Sequence, residues 1–429
     1  MPPKSPPSEA RWRLTRPLLG QAAAALSVLL QFSGPADEVL SRYFRAHRAL
    51  GRQDRAFIAE SAFAVLRRKR SLEHAAGSAE PLALLIAALL RVFGLSGRAL
   101  EEVLRAEDLA LVSRIRAART EDLPPAVRAD LPDWLWRKLA AEHGEAAALQ
   151  IAHGMLNAAP LDLRANVARL DRDAALARLV ADGIEGAPTP LSPAGIRLVD
   201  KPAINRHPLF TEGLVEVQDE GSQLLAWLVA PRRGEMIADY CAGAGGKTLA
   251  LAMLMRGAGR IYAMDVSANR LAALSPRAAR AQVTSIHPLV LSGDNDARAK
   301  RLAGKMDRVL VDAPCSGFGT LRRNPDLKWR HDVGALAELS QKQSRILGSA
   351  ARLVKPGGRL VYATCSILRE ENEAVVDAFA AERREFRPLS CAEVFRAQRI
   401  PVDTGERLRL WPHVHNTDGF FAAAFERVA

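Results

Sequence analysis

Glu235-Met-Ile-Ala-Asp-Tyr-Cys-Ala-Gly-Ala-Gly-Gly-Lys-Thr248 is the stretch that decides the fold. The apolar run from Glu235 to Tyr240 predicts a strand, the small residues after it a tight loop, and Thr248 to Met255 a helix. Strand, glycine-rich loop and helix in that order open an α/β sheet. There the backbone comes close to a ligand and the helix N-terminus offers free N–H donors. The loop is no P-loop, because GxxxxGK[ST] requires glycine where Cys241 stands, and it meets GxGxxG imperfectly, with Thr248 at the third glycine.

Downstream the β–α alternation continues. Further strands are expected at 260–264, 286–291, 308–312 and 359–364, with 419–425 closing a mostly parallel sheet. Three acids mark the ends of these strands. Asp265 follows the second, about twenty residues past the loop, where a carboxylate accepts from ribose hydroxyls. Asp294 follows the third, within reach of an adenine amino group, and Asp312 ends the fourth. Singly, each is equally well a turn or helix-cap residue. Together they would repel a pyrophosphate, and they suit an adenosyl ligand without phosphates.

Upstream, residues 155–230 read as a small α+β module, with strands at 161–167, 195–199 and 214–218 and a helix over 171–182. Residues 15–150 carry Ala, Leu, Arg and Glu at helical spacing. Breaks near Gly34-Pro35, Gly51, Gly77, Gly94 to Gly97 and Pro124-Pro125 divide them into an expected five to seven helices. Residues 1–14 are expected to be a disordered tail, Pro- and Ser-rich at the start. The expected architecture is therefore multidomain: an all-α N-terminal domain, the α+β module, and an α/β Rossmann-like domain over 231–429.

Composition limits the function classes. The 60 Lys and Arg against 48 Asp and Glu leave a net charge of +12, which favours a polyanionic partner, nucleic acid before an anionic membrane. The run Ala22 to Leu30 behind Arg11, Arg13 and Arg16 has a secretory look, but also fits an amphipathic helix of a soluble domain, the reading adopted here. Pro81 to Leu90 is too short to span a bilayer, which takes about 20 apolar residues. Four isolated cysteines make neither a disulfide framework nor a CxxC zinc site, so no metal is expected and a reducing cytoplasm is.

Two of those cysteines carry chemistry. Asp312-Ala-Pro-Cys-Ser316 follows the fourth strand and Ala363-Thr-Cys-Ser366 the fifth, so both thiols face one crevice beside the adenosyl site. Cytosine carbon 5 is a poor nucleophile. A thiolate added at carbon 6 makes the ring an enamine able to take up a methyl group. A second acid/base group then helps the carbon-5 proton and the thiol to leave. Asp312 is suited to hydrogen-bond ring nitrogen 3 or the amino group.

The strings CAGAGGKT, DAPCSGFGTLRRNPDLKW, KPGGRLVYATCS and NTDGFFAAAF, with Val217-Gln-Asp-Glu-Gly-Ser-Gln223 upstream, resemble the motifs of the Sun-type RNA cytosine-5 methyltransferases. The all-α part is similar to the antitermination-factor-like RNA-binding domain of the branch that modifies 16S ribosomal RNA. The resemblance covers nearly the whole chain. It implies Cys365 as nucleophile and Cys315 as the residue assisting product release. It also implies that Cys241, Ala242, Gly243, Ala244, Gly245, Gly246, Lys247, Asp265, Asp294 and Asp312 bind S-adenosylmethionine, with Arg270 beside them. The usual loop has Ala-Pro where Gly243-Ala244 stands, a loss of loop rigidity rather than of backbone contacts. Cys391 matches no motif and is read as structural. By resemblance the substrate is one cytosine of small-subunit ribosomal RNA, and the enzyme a cytoplasmic monomer.

Arg322, Arg323, Lys328 and Trp329 after the Pro-Cys loop, and Arg164, Asn166 and Arg206 in the middle module, are candidates for RNA contact. Arg67 to Arg70 reads as a solvated helix face. A DNA cytosine-5 methyltransferase would carry its nucleophile at Cys315 instead. An amino-group methyltransferase would want Asp/Asn-Pro-Pro-aromatic in place of Asp312-Ala-Pro-Cys. A decayed, purely RNA-binding protein is opposed by the intact Asp312, Cys315 and Cys365.

Overall fold

The computed structural model describes residues 12–119 and 123–428, so most of the expected tail lies outside the described residues. The chain divides into two compact units, one running to Ala158 and including Leu321–Asp332, the other Ala159–Thr320 with Val333–Ala429.

The first unit is helical, as the spacing predicts. Helix Arg16–Leu29 starts where the Thr15 side chain accepts from the Leu18 N–H, and it buries Leu18, Leu19, Ala22, Ala25, Leu26 and Leu29 on one face. The run with the secretory look is thus an amphipathic core helix. Helix Pro81–Arg91 is apolar all round because it sits mid-core, with every residue from Ala83 to Leu89 buried. Among the described residues no helix is long and apolar enough to cross a membrane.

Among the described residues ten α-helical segments lie between Arg16 and Gly154, more than the glycines and prolines indicate. One extra break falls at Arg68, between Arg52–Arg67 and Lys69–Ala76. Its cause is tertiary. Asp130, from a distant turn, accepts from the Ser71 N–H at 2.9 Å and the Ser71 hydroxyl at 2.8 Å, capping the second helix from outside.

The second unit holds two sheets. Strands β1 (Leu161–Ala165), β2 (Gly186–Pro188), β3 (Gly195–Leu198) and β4 (Val215–Val217) form an antiparallel sheet in the order β2-β3-β1-β4. The larger sheet contains β5 (Met236–Asp239), β6 (Arg260–Asp265), β7 (Ile286–Val290), β8 (Met306–Asp312), β9 (Val354–Thr364), β10 (Phe386–Leu389), β11 (Leu408–Leu410) and β12 (Phe420–Arg427). Its order is β10-β12-β9-β8-β5-β6-β7, with β11 beside β12. The five strands from β5 to β9 are parallel and the last three antiparallel. Val309, Leu310, Val361 and Tyr362 are fully buried, as expected for parallel strands covered on both faces.

The strand order reverses at β5, with β6 on one side and β8 on the other, and ligands bind at the carboxyl edge beside such a reversal. The string Gln218 to Gln223 joins the small sheet to the large one. Glu220, fully buried, accepts from the Ser192 N–H at 2.8 Å, and Gln223 donates to the Leu163 carbonyl at 3.2 Å.

Candidate active site

The loop after β5 is held open by backbone conformations that exclude side chains. Gly243 has φ +54° and a Cβ there would meet the Arg270 guanidinium at 2.5 Å; Gly245 has φ +83° and a Cβ would meet Leu274 at 2.1 Å. The residues on either side are anchored through their carbonyls. Arg277 donates to Ala244 O at 2.7 Å, and Arg164 to Gly246 O at 2.9 Å. These two guanidinium groups supply the restraint that a loop proline would otherwise give.

Asp265, buried at the end of β6, fixes the loop as well. One of its oxygens accepts from the Gly243 N–H and the other from the Ser267 N–H, both at 2.8 Å. Each retains a lone pair for a ligand. Behind the loop, Asp239 is fully buried and accepts from the Thr248 hydroxyl at 2.7 Å, while burial pushes its pKa up to about 7.

Beside this loop lies a cleft of about 400 Å³, within the range of small-ligand sites. Cys241, Asp265, Arg270, Asp294, Asp312, Cys315 and Cys365 all line it, so residues far apart in sequence converge there. Its three carboxylates outnumber its two cations, Arg270 and Lys342, a balance that fits a cationic adenosyl compound. An adenosine phosphate would face those carboxylates with like charge.

The Cys315 and Cys365 sulfurs are 3.3 Å apart, both as free thiols. The hydrogen bond to Cys365, together with burial, holds the Cys315 pKa well above the ordinary thiol value, so Cys315 is a protonated donor at neutral pH. Cys241 is likewise raised well above it by burial. Lys247 donates to Asp312, Nζ to Oδ2 2.7 Å. Burial disfavours its ammonium, but the charge and hydrogen bond of Asp312 outweigh that, and Cys365 adds to the effect.

Glu371 was not singled out in the sequence, yet it ties the two cysteine loops together. It is fully buried. It accepts from the Ser316 N–H at 2.7 Å, the Ser316 hydroxyl at 2.5 Å and Gln343 Nε2 at 3.0 Å, and also from the Ser366 hydroxyl. Ser316 and Ser366 directly follow the two cysteines. Asn372 adds a bond from its Nδ2 to Ser366 O at 3.0 Å. A signal was present: Glu371 and Asn372 interrupt the helical apolar spacing Leu368, Val375, Val376, Phe379, all buried. Gly319 completes the join, its N–H donating to Cys365 O at 2.8 Å while its carbonyl accepts from Gly419 N at 2.8 Å. A Cβ at Gly319 would meet Gly419 O at 2.1 Å, which accounts for a glycine in both strings.

The candidate RNA contacts fare differently. Arg164 is 4% exposed and spent on the glycine loop, its pKa lowered to about 10 by burial. Asn166 donates to Gly213 O at 3.2 Å, and Arg206 is exposed. Arg322 and Lys328 belong to the helical unit and are buried there. Lys328 donates to Arg67 O and Asp130 O, both at 2.7 Å, and Trp329 Nε1 to Leu66 O at 2.8 Å. Arg67 donates to Arg322 O at 2.8 Å, so Arg67 is engaged internally rather than solvated as the sequence reading had it. These groups hold 321–332 onto the helices. Cys391 is fully buried, in keeping with a structural role.

Residues 226–426 match the family described as 16S rRNA methyltransferase RsmB/F, and residues 131–205 match the ferredoxin-like domain of RsmF/B-like methyltransferases. The "Probable ribosomal RNA small subunit methyltransferase B" of Bacillus subtilis is 35% identical over 303 residues, 69% of this chain and 66% of its own length. The "Ribosomal RNA small subunit methyltransferase B" of Sodalis glossinidius is 36% identical over 294 residues, 68% of this chain and 64% of its own. The chain thus spans about two thirds of the length of the curated relatives it matches. Among solved structures, that of PH0851 superposes with a TM-score of 0.77 at 25% identity, covering 97% of this chain and 99% of that one. With its glycine loop, strand-end acids and paired thiols on one sheet edge, the chain belongs to the RsmB/F family of 16S rRNA methyltransferases.

Proposed function

We propose that the protein transfers a methyl group from S-adenosylmethionine to carbon 5 of one cytosine in 16S ribosomal RNA, through a covalent adduct at Cys365. The observation that carries this reading is the pair of sulfurs 3.3 Å apart on a cleft that Asp265, Asp294 and Asp312 also line. S-adenosylmethionine, when bound there, supplies an electrophilic methyl group. Asp265 would hold its ribose hydroxyls and Asp294 its adenine amino group.

Cys365 adds to carbon 6 of the cytosine, and the sulfur–carbon bond makes carbon 5 nucleophilic. Asp312, held by Lys247, orients the base through nitrogen 3 or its amino group. After methyl transfer the sulfur–carbon bond breaks as Cys315, protonated and in hydrogen-bond reach, donates to the departing Cys365 sulfur; the Cys315 thiolate so formed takes up the carbon-5 proton and returns to the thiol. The protein is read as working as a monomer in the cytoplasm, on RNA that is free or early in assembly.

Mapping 5-methylcytosine in 16S RNA from cells with and without the gene tests the substrate; one missing site is expected, and an unchanged map rejects the reading. With purified protein, Cys365→Ala is expected to abolish turnover and Cys315→Ala to stall it with RNA attached. The reverse pattern would assign the nucleophile to Cys315, as in the DNA-type enzymes.

A further inference from the structure

The two arginines that grip the glycine loop are both tied to the small antiparallel sheet. Arg164 lies on β1, and its Nη1 donates to Gly246 O at 2.9 Å and to the side chain of Gln218, the residue after β4. Arg277 lies on helix Leu274–Arg280 and donates to Ala244 O at 2.7 Å. Its other terminal nitrogen, Nη2, bonds Glu216 Oε2 at 3.0 Å. Glu216 is a buried residue of β4 and also accepts from Arg280.

The module and that helix press together as well. The Arg280 guanidinium lies 4.0 Å over the Phe210 ring. At Gly213, with φ +68°, a Cβ would meet Arg280 O at 2.3 Å. The small sheet thus reaches the loop twice, directly through Arg164 and by way of Glu216 and Arg277.

Two features set these bonds apart from ordinary packing. The first is their cost. Both partners of Arg164 Nη1 are neutral, and Glu216, the acid whose charge offsets it, bonds Arg277 and Arg280 instead. Taking a guanidinium out of water onto neutral acceptors costs desolvation that an apolar residue would avoid, so stability of the sheet gives no reason for arginine there.

The second is what the bonds hold. A peptide unit is planar, so fixing Gly246 O fixes the Lys247 N–H, one of the first donors of helix Gly246–Leu254, which have no intrahelical partner. Fixing Ala244 O fixes the Gly245 N–H on Ala242 O at 2.8 Å. The usual loop has proline where Ala244 stands, and without the ring a ligand would have to order this segment as it binds.

We propose that Arg164 and Arg277 are positioning residues for the methyl donor, through which the small α+β module sets the affinity of the cleft for S-adenosylmethionine. The proposal rests on the reading of the cleft as the donor site. It adds that donor binding depends on a module whose residues do not line that cleft.

The test uses the full chain, with S-adenosylmethionine binding measured by calorimetry and hydrogen exchange by mass spectrometry. Arg164→Met is expected to bind about tenfold more weakly, the loss of one charge-assisted hydrogen bond. Adding Ala244→Pro, which stiffens the loop itself, should recover most of that loss, and more than Ala244→Pro gains in the wild-type chain. A defect in the small sheet alone would not be repaired by a proline in the loop. Coupling is reciprocal, so in the wild-type chain S-adenosylmethionine should slow exchange over 161–165 and 215–217, an effect that Arg164→Met should weaken. Wild-type affinity in Arg164→Met, a loss that Ala244→Pro leaves as large, or unchanged exchange over β1 and β4 in the wild-type chain would overturn the proposal. A wild-type chain that binds no S-adenosylmethionine would sink the reading of the cleft and the proposal with it.

Discussion

Glu371 shows what one residue does to a reaction it does not touch. Its carboxylate takes donors from Ser316 and Ser366, so it sets the spacing of two sulfurs carried by different strands. Glu371→Gln replaces an acceptor by an amide that faces those same donors. The expected stability loss is about 1–3 kcal/mol, and turnover should fall on the order of a hundredfold with S-adenosylmethionine affinity kept. A purely structural role predicts no change in thiol chemistry, whereas here the lost charge should speed alkylation of Cys315, whose thiol Glu371 helps to keep protonated. Peptide mapping after iodoacetamide treatment reads that difference. The cysteines and strand-end acids were legible because each stands in a short, strongly constrained string. Glu371 was not, because its meaning lies in Ser316, 55 residues away.

At the scale of elements, β5 and its loop carry two consequences. Gly245 has φ +83° against Leu274, so Gly245→Ala must shift the loop; left-handed strain of about 1–2 kcal/mol corresponds to roughly tenfold weaker S-adenosylmethionine binding, measurable by calorimetry. Asp239, at the end of β5, has its pKa raised by burial to about 7 from an unfolded value near 4. Between those values the folded state holds the proton more tightly than the unfolded one, so stability falls as pH rises from about 4 to 7. Asp239→Asn removes that slope and should gain stability over wild type at pH 8, on the order of a few kcal/mol, without gain at pH 4. Thermal melts across pH settle it; parallel curves would contradict the assignment. The strands β5 to β9 were legible from apolar runs between loops, while β2 and β10 escaped because Pro188 and Pro388 argue against a strand, and β11 because only three residues, Leu408 to Leu410, carry it. The break at Arg68 escaped for another reason, its cap being Asp130, a residue far off in sequence.

Over the whole molecule, the Rossmann-like order and the helical N-terminal region follow from the sequence, but the allegiance of 321–332 does not. That segment looks like basic RNA-facing loop in the text, and its lysine and tryptophan instead bond to helix-end carbonyls of the helical unit. Lys328→Met should therefore destabilise that unit by about 2–3 kcal/mol, seen as faster hydrogen exchange over 52–76, with the salt dependence of RNA binding unchanged. The central claim remains that thiols and acids distant in sequence form one reaction site with Cys365 as its nucleophile. Its most direct test is a 16S RNA fragment carrying 5-fluorocytosine, whose fluorine cannot leave as a proton does, incubated with protein and S-adenosylmethionine. Mass spectrometry of the trapped complex should find the methylated base on the peptide containing Cys365; attachment at Cys315, or no attachment at either, would contradict the account.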